Sequence, residues 1–341
     1  MNTPKATFLI PTHDHSTTLP LTVGTVLAQT VPELEIFLIG DGVTDELRVV
    51  AQDLASQDAR VTFLDLPKGP YHGEIYRHDV IVGAKSDAIF YLCDDDLLLP
   101  THVEDLLKLL ESANFAQSRG GHIDAEGQLS LYATDLSDPD CVAWHLGPEQ
   151  RNAASFTGAA HSREFYLQVA DPWQTTPTGE WPDHFQWKKL MRHPAFVGAT
   201  SKRMTALQFP SHLEGREDWT PQARQAELLE WAELVASPQG QARIDELCYQ
   251  AAWRDLAKTR VAHDRLLDEL RDAYTQLAQA HQDAAALQMD IAELRSSKRR
   301  LRQDNARLTR KAAKAQDRLA QIESSRSWRL TAPLRRLRSG R

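Results

Sequence analysis

Three acidic residues stand in a row at Asp94-Asp95-Asp96, between the apolar run Ala88–Leu92 and the segment Leu97-Leu98-Leu99-Pro100. Charges of one sign this close repel unless a cation sits among them, and hard divalent ions such as Mg or Mn take oxygen ligands of this kind. A metal site at the end of a buried strand is one reading of the triplet. An acidic cap on a helix starting near Pro100 is the other, since Asp caps helices well and Pro suits their first turn. Two further loops carry reactive groups. His13 and His15 lack third and fourth partners at a metal-binding spacing, which favours a plain loop role. Gly40-Asp41-Gly42 sets one carboxylate between two flexible residues, which suits a hydrogen bond to a ribose hydroxyl or base NH, and equally a tight turn. Neither GxGxxG nor GxxxxGK[ST] occurs, so no dinucleotide fingerprint or P-loop is present.

The elements that must position these residues alternate from the start. Strands are expected at Ala6–Ile10, Glu35–Ile39, Val61–Leu64 and Ala88–Leu92. Helices are expected at Thr18–Gln29, Thr44–Ser56, Glu74–Lys85 and Thr101–Ser112. This order predicts βαβ units, hence an α/β fold with a mostly parallel sheet flanked by helices. Each reactive loop then falls at a strand's carboxyl end, where a nucleotide crevice would lie. Beyond Pro100 the pattern is less regular, with strand-like runs near Gly121–Ile123, Leu129–Tyr132 and Cys141–Leu146.

Charge is unevenly spread along the 341 residues. Residues 295–341 hold 16 Lys and Arg against 3 Asp and Glu, or +13; the remaining 23 and 44 give residues 1–294 a balance of −21. An acidic body thus carries a basic tail. The three cysteines, Cys93, Cys141 and Cys248, form no CxxC pattern, which suits a reducing compartment. The polar start shows no signal-peptide pattern and no apolar run approaches a membrane span of roughly 18 residues, so a cytoplasmic protein is expected.

Pro11-Thr12-His13-Asp14-His15, Ile39-Gly40-Asp41-Gly42-Val43-Thr44-Asp45, Tyr76-Arg77-His78 and Leu92–Pro100 together resemble the successive signatures of family 2 glycosyltransferases of the GT-A (Rossmann-like) fold. The likeness covers roughly residues 6–210, and four signatures in order are more specific than any one. It implies that Pro11, Thr12, His13 and Asp41 hold the nucleoside of a nucleoside-diphosphate sugar, with Arg77 near the diphosphate. It also implies a divalent metal, Mn or Mg, on the acidic motif. Two registers are open: Asp94 and Asp96 as ligands with Asp95 next, or Cys93 at the first acidic place and Asp95 at the second. A neutral thiol is a poor ligand for hard ions, which favours the first. The segment Thr178–Lys189 is similar to the family's acidic residue ahead of a helix, the base of inverting members, and puts that role on Asp183 first and Glu180 second. An acidic helix start beside core tryptophans explains the same residues. His193-Pro194 and the run 216–219 are weaker candidates for the site. The chain departs from the family pattern at Gly40, His78 and Cys93.

From Leu266 a heptad seam runs through Leu270, Ala273, Leu277, Ala280, Ala284, Leu287, Ile291, Leu294, Lys298, Leu301, Asn305, Leu308, Ala312, Ala315 and Leu319 to Ile322, apolar at 15 of 17 positions. With Leu266 at d, Lys298 and Asn305 fall at a, and a buried Asn there favours two parallel strands. A parallel homodimeric coiled coil on the order of 85 Å long, at about 1.5 Å per residue, is expected. Neither Gly nor Pro occurs in 241–332, which argues against a helical hairpin. The end, Ser324–Arg338, is basic with interleaved Trp and Leu and is similar to a tail found on bacterial cell-surface-polysaccharide glycosyltransferases. It suits peripheral contact with an anionic membrane at the inner face of the cell. An acidic body without a binding motif argues against nucleic acid. The expected domains are therefore a GT-A domain over 1–215, a helical connector over 216–260, a coiled coil over 261–325 and a basic amphipathic tail over 326–341. The expected activity is metal-dependent and inverting transfer to a hydroxyl on a carbohydrate or lipid-linked acceptor, in polysaccharide or glycoconjugate synthesis. A catalytically inactive scaffold that dimerises through its coil near the membrane is the alternative.

Overall fold

The structure, a computed structural model, describes residues 3–170, 173–211, 215–216 and 218–330, without the side chain of Trp328. It divides into two units, Met1–Thr259 and Arg260–Arg341. In chain order the first unit runs β1 (Ala6–Thr12), α1 (Leu19–Leu27), β2 (Leu34–Asp41), α2 (Asp45–Gln57), β3 (Val61–Leu66), α3 (Arg77–Gly83), β4 (Ala88–Tyr91), β5 (Leu97–Leu98), α4 (His102–Leu110) and β6 (Phe115–Gln117). It continues with β7 (Gly121–Ile123), β8 (Leu129–Leu131), α5 (Pro139–His145), β9 (Ala159–Ser162), α6 (Arg163–Gln168), α7 (Pro182–Met191), β10 (Gly198–Thr200), β11 (Ala206–Leu207), α8 (Pro221–Ala236) and the start of α9 (Gly240–Ser324).

The main sheet has seven strands in the order β10-β6-β9-β4-β1-β2-β3. Strands β4, β1, β2 and β3 are mutually parallel and β9 runs against both of its neighbours. The four parallel strands are the ones expected from the alternation, and the crossovers α1, α2 and α3 join them. Both faces of the sheet are covered, which explains the nearly continuous apolar runs. Phe8, Ile36, Leu38 and Phe90 pack with α1, α2 and α4, while Leu9, Ile39, Ile89 and Tyr91 pack with α3, α6 and α7. Register sets Leu9 beside Tyr91 and Thr12 beside Gly40. The carboxyl ends of β1, β2 and β4 therefore share one edge, and it carries Thr12, Asp41 and the acidic triplet.

Three local expectations are corrected. The run Cys141–Leu146 is not strand but lies mainly in α5, because Asp138 caps that helix through the amide of Asp140 at 2.9 Å and Pro139 follows at its first position. The helix expected from Glu74 opens as a 3-10 turn, Glu74–Tyr76, and ends at Gly83 rather than Lys85. The triplet does not cap a helix: β5 intervenes and pairs antiparallel with β11, and Thr101, which precedes α4, makes no side-chain cap. Of the span 216–260 read as a connector, α8 and the first turns of α9 lie in the first unit, where Leu228, Val235, Ile244 and Cys248 join a core with Leu97, Leu99 and Phe209.

In the second unit α9 continues unbroken to Ser324 and α10 (Arg326–Leu330) follows. Seam residues are exposed in the single chain, Leu294 at 69% and Leu301 at 70%. No described helix is long and apolar enough to cross a membrane, and the basic end beyond Leu330 lies outside the described residues.

His102 in α4 is fully buried, hydrogen-bonded through Nδ1 to Thr205 Oγ1 at 2.8 Å and edge-on to Phe90. Burial pushes it from the ordinary 6.5 down to about 3, so the folded chain holds it neutral while the unfolded chain protonates it near 6.5. Its contribution to stability is thus complete above pH 6.5 and lost as pH falls toward 3. Urea unfolding from pH 7 to pH 4.5 will show stability falling with pH, and the fall will be shallower in His102→Gln.

Candidate active site

The acidic triplet leaves β4 buried, and its six carboxylate oxygens can be accounted for one by one. Asp94 Oδ2 accepts from Thr12 Oγ1 at 2.6 Å, and Oδ1 meets His15 Nδ1 at 2.8 Å. Asp96 Oδ1 accepts from the Phe209 amide at 2.8 Å, and Oδ2 from the hydroxyl of Thr157. Asp95 Oδ2 accepts from Arg224 Nη2 at 3.1 Å. Asp95 Oδ1 has no hydrogen-bond partner among the described residues. Thr18 and Thr22 fix the Asp94 carbonyl at 3.2 and 3.1 Å, so the backbone of the triplet is pinned to α1 and the residue before it.

Electrostatics follow from this crowding. Burial, then the neighbouring Asp94, holds Asp95 above the usual carboxylate range; burial, then Asp95, holds Asp96 well above it. His15 is pushed up to about 9, chiefly by its hydrogen bond to Asp94, and is an imidazolium at neutral pH. Burial and the adjacent Asp96 keep the Cys93 thiol neutral. Donor atoms of His15, Asp94 and Asp95 lie within 4.8 Å of one another, the spacing of a set that can share one cation. The oxygen-rich part of that set suits a hard divalent ion, whereas Cys93 does not.

The triplet opens on a cavity of about 980 Å³ that is also lined by Pro11, Thr12, His13, Asp41, Arg77 and Asp183. Asp41 sits at the end of β2, with its oxygens on Lys68 Nζ and the Gly69 amide and its carbonyl accepting from His13 Nδ1 at 2.9 Å. The loop can lie this close because Gly73 has φ +66 and a Cβ there would come 3.0 Å from Asp41 Cβ. Arg77 is 3% exposed, and its Nε and Nη1 have no partner among the described residues. Asp183 is the second residue of α7; its Oδ2 accepts from Asn152 Nδ2 at 2.7 Å and its Oδ1 from the His184 amide at 2.8 Å. Burial raises its pKa. Glu180 is turned away, paired with Lys188 Nζ at 2.8 Å and outside the cavity lining. Arg216 is also outside it, bonded to Ile123 O and Glu227.

Residues 7–162 match the family model described as Glycosyl transferase family 2. That stretch is a family 2 glycosyltransferase domain. No curated protein matches this glycosyltransferase significantly. Solved structures similar to it include S. aureus TarS 1–349 (11% identity, 75% of this chain and 73% of that one, TM-score 0.48) and the same protein in complex with UDP-GlcNAc (12%, 73% and 71%, 0.46). Another is the mannosyltransferase PcManGT from Pyrobaculum calidifontis in complex with GDP-Man and Mn2+ (13%, 74% and 70%, 0.45).

Several residues of the glycosyltransferase's site escaped the sequence. His15 meets Asp94 only because β1 and β4 are neighbours, 79 residues apart in the chain. Thr157, Phe209 and Arg224 reach the triplet from still farther along, and no local pattern marks them. Thr157 carries two bonds, giving one to Asp96 and taking one from the Cys93 amide at 2.9 Å. Thr157→Val removes both and leaves buried partners unpaired, so it will lower stability by about 1–3 kcal/mol, measured by denaturant unfolding.

Proposed function

We propose that this glycosyltransferase moves a sugar from a nucleoside diphosphate to a hydroxyl of a carbohydrate or lipid-linked acceptor, with inversion and with Mn or Mg. The observation that carries the reading is that Asp95, Arg77 and Asp183 all line one cavity, Asp95 with one oxygen and Arg77 with two buried donors unpaired among the described residues, and Asp183 with its pKa raised. Asp95 through Oδ1 would hold the ion, joined by Asp94 once the proton that His15 shares with it is displaced; Asp95 is favoured as the first ligand because both oxygens of Asp94 and of Asp96 are already engaged. Such an ion, when bound, supplies charge neutralisation at the diphosphate. Thr12, His13 and the Asp41 loop then line the nucleoside end of the cavity, and Arg77 adds fixed positive charge for the leaving group. Asp183 takes the proton of the acceptor hydroxyl. Its raised pKa makes it a stronger base than a solvated carboxylate, and Asn152 and the α7 amide hold it in place. A single displacement with one base inverts the anomeric centre. The setting is bacterial cell-surface polysaccharide or glycoconjugate synthesis at the cytoplasmic face.

Titration calorimetry with UDP, GDP, CDP and ADP, with Mn, with Mg and with chelator, tests the donor site. One nucleotide will bind with metal, Asp95→Asn will weaken it tenfold or more, and Asp183→Asn will keep binding while losing about 10²–10⁴ of turnover. No nucleotide binding under any condition would overturn the reading.

The second unit supports self-association. The exposed seam of α9 needs a partner, and in a parallel pair of copies Asp290 and Arg318 at g face Arg295 and Glu323 at e, opposite charges in both cases. Sedimentation of the full chain will give twice 38.4 kDa. Leu287→Asp combined with Leu294→Asp will give the monomer, with nucleotide affinity unchanged.

A further inference from the structure

Arg77 lies at the start of α3 in a corner made by the rings of Phe156 and Trp173, whose planes are 72° apart. Its Cζ is 4.6 Å from the ring centroid of Phe156 and 4.5 Å from that of Trp173. Nη2 donates to His72 O at 3.0 Å, while Nε and Nη1 donate to nothing among the described residues. A buried guanidinium ordinarily meets a carboxylate. Here the carboxylates around it are already engaged. Glu74 spends Oε2 on the His72 amide at 2.8 Å and Oε1 on the Thr176 amide at 3.1 Å, and Asp183 is held by Asn152 and the His184 amide. Burial accordingly pushes Arg77 below its ordinary value. Aromatic faces attract the cation through their quadrupoles, yet they leave its in-plane N–H groups unused.

The ring of Trp173 is itself held. Its Nε1 donates to Tyr91 Oη at 3.1 Å, and its amide to Tyr166 Oη at 3.0 Å. Tyr91 Oη in turn donates to His161 Nε2 at 2.6 Å, a direction fixed because His161 Nδ1 donates to Ser162 O at 3.0 Å. Two strands of the main sheet, β4 and β9, thus anchor the indole that covers Arg77. Trp173 also falls outside the matched family stretch 7–162.

We propose that Trp173 and Phe156 are positioning residues, a clamp of two rings set at an angle that holds Arg77 unneutralised at the cavity wall so that its guanidinium meets the diphosphate of the donor. This rests on the donor reading given above. The clamp acts through Arg77 alone, so its effect belongs to the phosphates and not to the nucleoside.

The test uses the full chain, the nucleoside diphosphate among UDP, GDP, CDP and ADP that binds wild type most tightly, and its parent nucleoside. Trp173→Leu and Phe156→Leu will each weaken the diphosphate about tenfold and leave nucleoside affinity unchanged. Trp173→Phe keeps a ring face and will stay within about threefold of wild type. In an Arg77→Gln background Trp173→Leu will cost nothing further, since its target is gone. Equal loss for nucleoside and diphosphate, losses that add in the double variant, or no loss in either leucine variant would overturn the clamp while the donor reading stands. If Trp173→Leu does not fold, Phe156→Leu decides alone by the same comparisons. Failure of wild type to bind any of the four diphosphates with metal would overturn the donor reading and the clamp with it.

Discussion

Three adjacent carboxylates buried at the end of one strand repel one another, and much of the first unit is arranged around that repulsion. Each oxygen that is neutralised or hydrogen-bonded lowers the cost of holding the next. Asp94 draws on Thr12 and the imidazolium of His15, Asp96 on Thr157 and the Phe209 amide, and Asp95 on Arg224. These donors come from β1 and the loop after it, from the loop before β9, from the segment after β11 and from α8. The triplet therefore ties together pieces of chain that are far apart in sequence. What is left over, one oxygen of Asp95, is the part of the triplet the fold does not consume.

The same economy recurs around the cavity. Asp41 is used up by Lys68 and Gly69 and so shapes the loop that borders the cavity rather than standing free. Glu74 is used up by two amides and ties the same loop to the segment before α7. Arg77, in the corner between two aromatic rings, is a buried cation left with two donors unspent beside the cavity. In a desolvated setting, groups with unfilled hydrogen-bonding capacity are costly, so those that persist mark where a ligand completes the arrangement.

The four parallel strands and their crossovers were legible because apolar runs of strand length alternate with helical ones, and burial on both sheet faces keeps those runs simple. Thr12, Asp41, Arg77 and the triplet were legible for a related reason: each follows a strand or opens a helix at the same edge. For His15 a local spacing rule finds no partners, because its partner, Asp94, follows β4. The stretch Cys141–Leu146 misled because a short apolar run fits a strand or one face of a helix, and the deciding feature was the Asp138-Pro139 start. Arg224 and Thr157 carry no signal at all until the sheet brings them to the triplet.

The reach of the triplet also bears on where the catalytic unit ends. Family likeness stops at residue 162, yet Asp95 and Asp96 depend on Arg224 and on the amide of Phe209. Arg224 further bonds Phe209 O at 2.6 Å and Glu227, which also holds the buried Arg216. Leu228 and Val235 of α8 and Ile244 and Cys248 of α9 close the core beneath them. A chain cut after 162 would expose that core and leave two buried carboxylates short of donors, so the elements after the family stretch are part of the site rather than an appendage. The first turns of α9 belong to this body, and the seam from Leu266 onward is exposed along its length. One helix thereby serves two ends: its start completes the fold that holds the charges, and its remainder offers an apolar stripe that the same chain does not cover.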